Sequence, residues 1–216
     1  GAQNMSVADS SFDTWLDGYE RGIPNRKASI YTEGCLLAFV TDQLIRQNSK
    51  GKNSLDTVMN EFYHSYYQKG KGITEKDFIT EINKASTIDL ENLWDNYFYG
   101  TKNFYSLLKS TLKKSDFKLT KEHNAKYFAA HYGFFNQPGT NKALFIAPKS
   151  PAYKAGINVG DEVISINKIV LEKDNLNQWA KYFGGTLEVV LKKDGLLKTI
   201  KLPHSTKLFF PKINLV

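Results

Sequence analysis

The sequence has one cysteine in 216 residues, Cys35. A single thiol excludes an internal disulfide and any zinc site built from clustered cysteines. Long apolar runs are missing too. Charge interrupts every hydrophobic stretch within a few residues, far short of the roughly 20 apolar residues of a membrane span, so no part is expected to cross a bilayer. The opening residues, GAQNMSVADSSF, hold neither a basic leader nor an apolar run and so read as no signal peptide. Gly1 reads as left by a tag. No internal repeat or low-complexity stretch occurs, and nothing here fixes the compartment.

Clustered charge of one sign is also scarce. The formal net charge of +7 divides unevenly: residues 1–100 carry 10 Lys/Arg against 14 Asp/Glu, and residues 101–216 carry 19 against 8. The lysines of the second half nevertheless stand singly between apolar positions, with only short pairs such as Lys113-Lys114 and Lys192-Lys193. Scattered lysine describes a solvated surface. Binding to nucleic acid would need a basic stripe and a stacking platform, so no nucleic-acid partner is expected.

What is present is apolar mass: 41% hydrophobic residues, with 14 Phe and 12 Tyr, enough for folded cores. The length suits two domains. Over residues 30–47, Leu36, Leu37, Val40, Leu44 and Ile45 recur at helical spacing. Ser54 caps a second helix carrying Leu55, Val58, Met59, Phe62, Tyr63 and Tyr66, stopped at Lys69-Gly70. Thr74-x-x-Asp77 reads as a capping box before a third, with Phe78, Ile79, Ile82 and Ala85 inward. Asp89 caps a fourth, with Gly100 expected to end it in the left-handed conformation. A short helix over residues 105–112 completes an all-helical region, residues 1–114.

After about residue 115 the period changes to short strands between Gly, Pro, Asn and Asp, and a second domain is expected over 115–216. The strand candidates are residues 117–120, 127–136, 142–146, 162–167, 186–192 and 197–202, the last two joined by an Asp194-Gly195 hairpin turn. Short helices are expected over 151–155 and 175–183. The fold class is therefore α+β, with a small, partly open barrel following a helical domain.

The stretch SPAYKAGINVGDEVISIN, residues 150–167, assigns each residue a local task. Ser150 caps a short helix with Pro151 at its first position, Gly156 closes it, Gly160-Asp161 turns, and Val163, Ile164 and Ile166 enter a buried strand. The ordered Ser-Pro-Ala, Ala-Gly-Ile, Gly-Asp-Glu and Ile-Asn elements resemble the PDZ domain, departing at Asn167-Lys168, where that family often has Asn-Gly. The resemblance implies a groove that binds an extended peptide as an added strand. Its strand would be Gly133-Phe134-Phe135-Asn136, facing the helix with Leu176 and Trp179. Amides around Tyr132 and Gly133 would take up a C-terminal carboxylate. The loop AHYGFFNQPG lacks the full glycine-rich pattern of strong C-terminus binders, so carboxylate capture and a structural role both stay open.

In the first half, Pro24-Asn25, Ser29-x-Tyr31-x-x-Gly34, the apolar helix after it and Ser54-Leu55-Asp56, with NLWDNYFYGT at 92–101, resemble the glycyl aminopeptidase family. That resemblance implies a zinc metallopeptidase with a thermolysin-like catalytic domain followed by a PDZ domain, acting on peptide or protein substrates in a bacterium. It further implies that Tyr31 donates a hydrogen bond to the oxyanion of the tetrahedral intermediate. Helical spacing alone would make Tyr31 a core aromatic. Glu33 stands where relatives commonly have lysine.

The metal-binding part is lacking. Zinc peptidase chemistry needs two histidines one helical turn apart with a glutamate between them, HExxH, and a third ligand. His64, His123, His131 and His204 form no such motif, so zinc is expected in the intact enzyme and no metal in this chain. The chain then reads as a C-terminal fragment, inactive alone, or as a degenerate relative. The competing function is a non-catalytic PDZ peptide-binding module on a helical scaffold.

Overall fold

The computed structural model describes residues 4–18, 26–172 and 175–216; Pro24-Asn25 lies outside them. The chain mixes helix and strand and forms two compact units, Gly1–Lys118 and Leu119–Val216. Among the described residues no helix is long and apolar enough to cross a membrane.

The first unit is helical: α1 (Val7–Asp17), α2 (Ile30–Asn48), α3 (Leu55–Ser65), α4 (Glu75–Ser86), α5 (Glu91–Leu93) and α6 (Phe104–Thr111). α1 is an addition to the sequence reading. Its signal is local: Ser6 Oγ accepts from the Asp9 N–H at 3.0 Å and its hydroxyl donates to the Asp9 carboxylate at 2.6 Å. The box before α4 has the expected form, the Asp77 N–H reaching Thr74 Oγ1 at 3.2 Å and the Thr74 N–H reaching Asp77 Oδ2 at 2.9 Å. α2 packs against α3, α4 and α6. Val40, Ile45 and Ile82 lie fully buried at the centre, and burying each such side chain stabilises the unit by about 1.5–3 kcal/mol.

Gly100 works differently from the expectation. The chain after α5 widens into a π turn over Trp94–Phe98, and Gly100 does not take a positive φ. A Cβ there would stand 2.6 Å from the carbonyl oxygens of Asp95 and Asn96, so glycine is required by close approach.

The second unit runs β1 (Leu119–Glu122), α7 (Tyr127–Tyr132), β2 (Phe134–Asn136), β3 (Ala143–Ile146), α8 (Pro151–Lys154), β4 (Glu162–Ile166), β5 (Ile169–Val170), α9 (Leu176–Phe183), β6 (Leu187–Lys193), β7 (Leu196–Leu202) and β8 (Lys212–Leu215). β4, β5, β6 and β7 form an antiparallel sheet in the order β5-β4-β6-β7. β2 pairs with β3, and β1 with β8. The single strand expected over 127–136 is corrected: its first six residues are α7. Phe128, Ala129 and Tyr132 recur at helical spacing and are buried, and Gly133, at φ +74°, ends the helix by donating to the Ala129 carbonyl at 3.1 Å. The β4–β5 turn has Asn167 and Lys168 both at positive φ, 47° and 70°, the mirror-image hairpin geometry with lysine in place of the usual glycine.

Candidate functional site

Tyr31 is the second residue of α2. Ser29 caps the helix, its Oγ accepting from the Thr32 N–H at 3.3 Å and its carbonyl accepting from the Glu33 N–H at 2.9 Å. This start fixes the first turn and sets the tyrosine outward, 67% exposed. Residues three apart share a helix face, so Gly34 lies one turn along from Tyr31. Gly34 has no local reason to be glycine: its φ is not positive and a Cβ built on it meets nothing within 4 Å. The space beside it opens into an apolar cavity of about 440 Å³ walled by Leu37 and Thr41 of α2, Phe78 and Ile82 of α4, and Trp94. Glu33 points elsewhere in character. Its carboxyl is half-buried, with Oε2 lacking a hydrogen-bond partner among the described residues, and burial pushes its pKa above the ordinary 4.5.

The second expected site lies between β2 and α9. α7 packs there against both neighbours. The Phe128 N–H donates to Asn177 Oδ1 of α9 at 2.9 Å, and the Phe128 ring meets Phe134 of β2 edge-on at 5.2 Å between centroids. Three of the residues expected to line a groove, Tyr132, Phe134 and Leu176, have their side chains wholly inside the core. The Tyr132 phenol donates to the Gly185 carbonyl at 2.6 Å, and burial pushes its pKa up. Gly133 is wedged in place, since a Cβ there would stand 2.2 Å from Ser150 Cβ. Phe135 and Trp179 are half-buried, the first against Phe145 and Phe210, the second against Tyr182 and Phe183.

The histidines do not converge on a metal. His64 is exposed and contacts Gln68 at 3.0 Å, and His123 is exposed. His131 and His204 stack at 4.4 Å between ring centroids, with His204 Nε2 3.1 Å from the Tyr127 hydroxyl and His131 Nδ1 3.1 Å from the Ser205 carbonyl. Burial, with a smaller contribution from His131, holds His204 below the usual imidazole range. Among the described residues no three His, Cys, Asp or Glu side chains are grouped to hold an ion. The donors among the described residues therefore do not fit a catalytic zinc ion. Sequence reading overlooked the paired histidines, because residues 73 positions apart leave no spacing signal.

Residues 1–37, which include Tyr31 and Gly34, match the model of the M61 glycyl aminopeptidase family. The family likeness read from the sequence is borne out there. Across 99% of the chain the fold is that of a crystal structure of an aminopeptidase N family protein from Idiomarina loihiensis, at 21% identity and a TM-score of 0.81. The chain spans 39% of that protein's length. A second likeness, over 46% of this chain and 92% of the other, is to the HtrA3 PDZ domain bound to a phage-derived ligand, at 14% identity and a TM-score of 0.30, too low to establish a shared fold. Curated proteins give no match.

Proposed function

We propose that this chain is the C-terminal portion of a zinc-dependent aminopeptidase with a preference for N-terminal glycine, in which Tyr31 stabilises the oxyanion. The observation that carries the reading is the display of Tyr31. It stands outward on the first turn of α2, inside the segment that matches the glycyl aminopeptidases, with an uncrowded glycine one turn along. A phenol is neutral near pH 7 and donates one hydrogen bond, which strengthens as a carbonyl oxygen gains negative charge. Gly34 leaves room for a substrate backbone to approach α2. Zinc, when bound, supplies the Lewis acid and activated water of this chemistry. Its ligands would come from chain beyond these 216 residues, since the histidines here are committed to packing and surface roles. The exposed apolar stripe of α1, Phe12, Trp15 and Leu16, supports a larger parent structure that covers it.

For the second unit we propose a PDZ domain that positions substrate. Support comes from the Ser150 cap, whose Oγ accepts from the Tyr153 N–H at 3.1 Å, from Pro151 at the helix start, and from Gly156 and Gly160 at φ +74° and +90°. With α7 packed between β2 and α9, positioning is favoured over capture of a free C-terminus.

The test is Tyr31→Phe in the intact protein, assayed on glycyl substrates. Loss of one oxyanion donor is expected to lower kcat by about 10²–10³. An unchanged kcat would remove Tyr31 from the mechanism.

A further inference from the structure

The second unit holds the whole excess charge of the chain. Residues 119–216 carry 14 lysines and seven Asp or Glu, a net of +7 that equals the charge of the entire sequence. Four of those lysines meet at one depression. A cavity of about 560 Å³ is walled by Lys149 and Lys154 around α8 and by Lys201 at the end of β7, with His204, Ser205, Thr206 and Lys207 in the loop that follows. No Asp or Glu lines it, and none of the four lysines forms an ion pair among the described residues.

The loop is held firmly. The Ser205 N–H donates to the His131 carbonyl at 3.1 Å, His131 Nδ1 lies 3.1 Å from the Ser205 carbonyl, and the Phe209 N–H donates to the Ala130 carbonyl at 2.9 Å. Both ends are thus tied to the buried helix α7. Between those ties the N–H groups of Thr206 and Lys207 have no acceptor among the described residues. Like charges gathered around a concavity repel one another and raise its potential, and a ligand of opposite sign relieves that repulsion. One negative charge would offset a single lysine of the four, so the better match is multiply charged.

We propose that this cavity binds a small ligand carrying two or more negative charges on phosphate or carboxylate oxygens. The cavity is built from residues of the second unit alone, and the proposal does not depend on the aminopeptidase reading. Its occupant is held by the lysine ammonium groups around the cavity and by the loop amides of Thr206 and Lys207 with the Thr206 hydroxyl, the Ser205 hydroxyl being already donated to the Lys207 carbonyl at 2.9 Å.

The full chain is titrated, with NMR detection, against inorganic pyrophosphate and separately against citrate, at an ionic strength held constant with sodium chloride. Saturable one-to-one shifts centred on His204, Ser205, Thr206 and Lys207 are expected. Pyrophosphate alone would assign a phosphate ligand, citrate alone a polycarboxylate, and both the shared oxyanion chemistry. Lys154→Gln and Lys201→Gln, both at exposed positions, are each expected to weaken binding about fivefold, the size of one exposed ion pair. Lys121→Gln on β1 should leave it unchanged. Shifts that rise linearly, that spread over lysines throughout the chain, or that persist undiminished in the Lys154→Gln/Lys201→Gln double variant would overturn the site.

Discussion

Glycine inside a helix is about 1 kcal/mol less favourable than alanine, and Gly34 occupies such a place in α2 with open space where a methyl group would go. Gly34→Ala is therefore expected to stabilise the chain by about 0.5–1 kcal/mol, seen as a raised Tm, and to lower turnover of glycyl substrates in the intact protein. A stabilised variant with full turnover would show that the open face is not used. Glu33 yields a pH prediction. Its folded pKa is raised by burial above the unfolded value near 4.5, so its contribution is most favourable below that value and is lost as pH rises through the folded pKa. Glu33→Gln should accordingly raise Tm at pH 7, with the gain disappearing below about pH 4. Melts at the two pH values check the sign. At this scale Tyr31 and Gly34 stood out in the sequence only through the resemblance of Ser29-x-Tyr31-x-x-Gly34 to the glycyl aminopeptidases, since helical spacing alone would have made Tyr31 a core aromatic. The sequence could not show that Glu33 is half-buried or that Gly34 borders a cavity, since both depend on how distant helices pack.

At the scale of elements, the readable features were those with a local cause. The Thr74–Asp77 box, the Ser150-Pro151 helix start and the Asp194-Gly195 turn all form as their side chains and dihedrals dictate, whereas the helix expected to stop at Lys69-Gly70 ends at Ser65 and Gly70 closes the short 3-10 turn over Tyr67–Lys69. Tyr127–Tyr132 misled because aromatic residues favour strands on average, whereas here Phe128 and Tyr132 gain burial on one side of a helix that packs on α9. That helix bears on what the second unit is expected to bind. Peptides with an apolar C-terminal residue and a free carboxylate are expected to give no saturable shifts in the amides of β2 and α9 during an NMR titration, because α7 already contacts both elements. Saturable shifts there would mean that α7 leaves its place on binding. β8 was unreadable for another reason: Lys212–Leu215 is ordered by pairing with β1, 90 or more residues away in sequence.

For the whole molecule, the change of period near residue 115 carried the division into helical and strand-rich regions, since a spacing of 3.6 and one of 2 cannot serve the same buried face. The charge asymmetry was equally plain in composition. Its concentration at one depression was not, because the four lysines come from α8, β7 and the adjoining loops and only meet on folding. Cys35 completes the picture. The chain's one thiol lies exposed on α2, one turn beyond Tyr31. A maleimide dye or a nitroxide would attach at that point alone, without any engineered cysteine, and would report directly on whatever comes to rest beside the tyrosine.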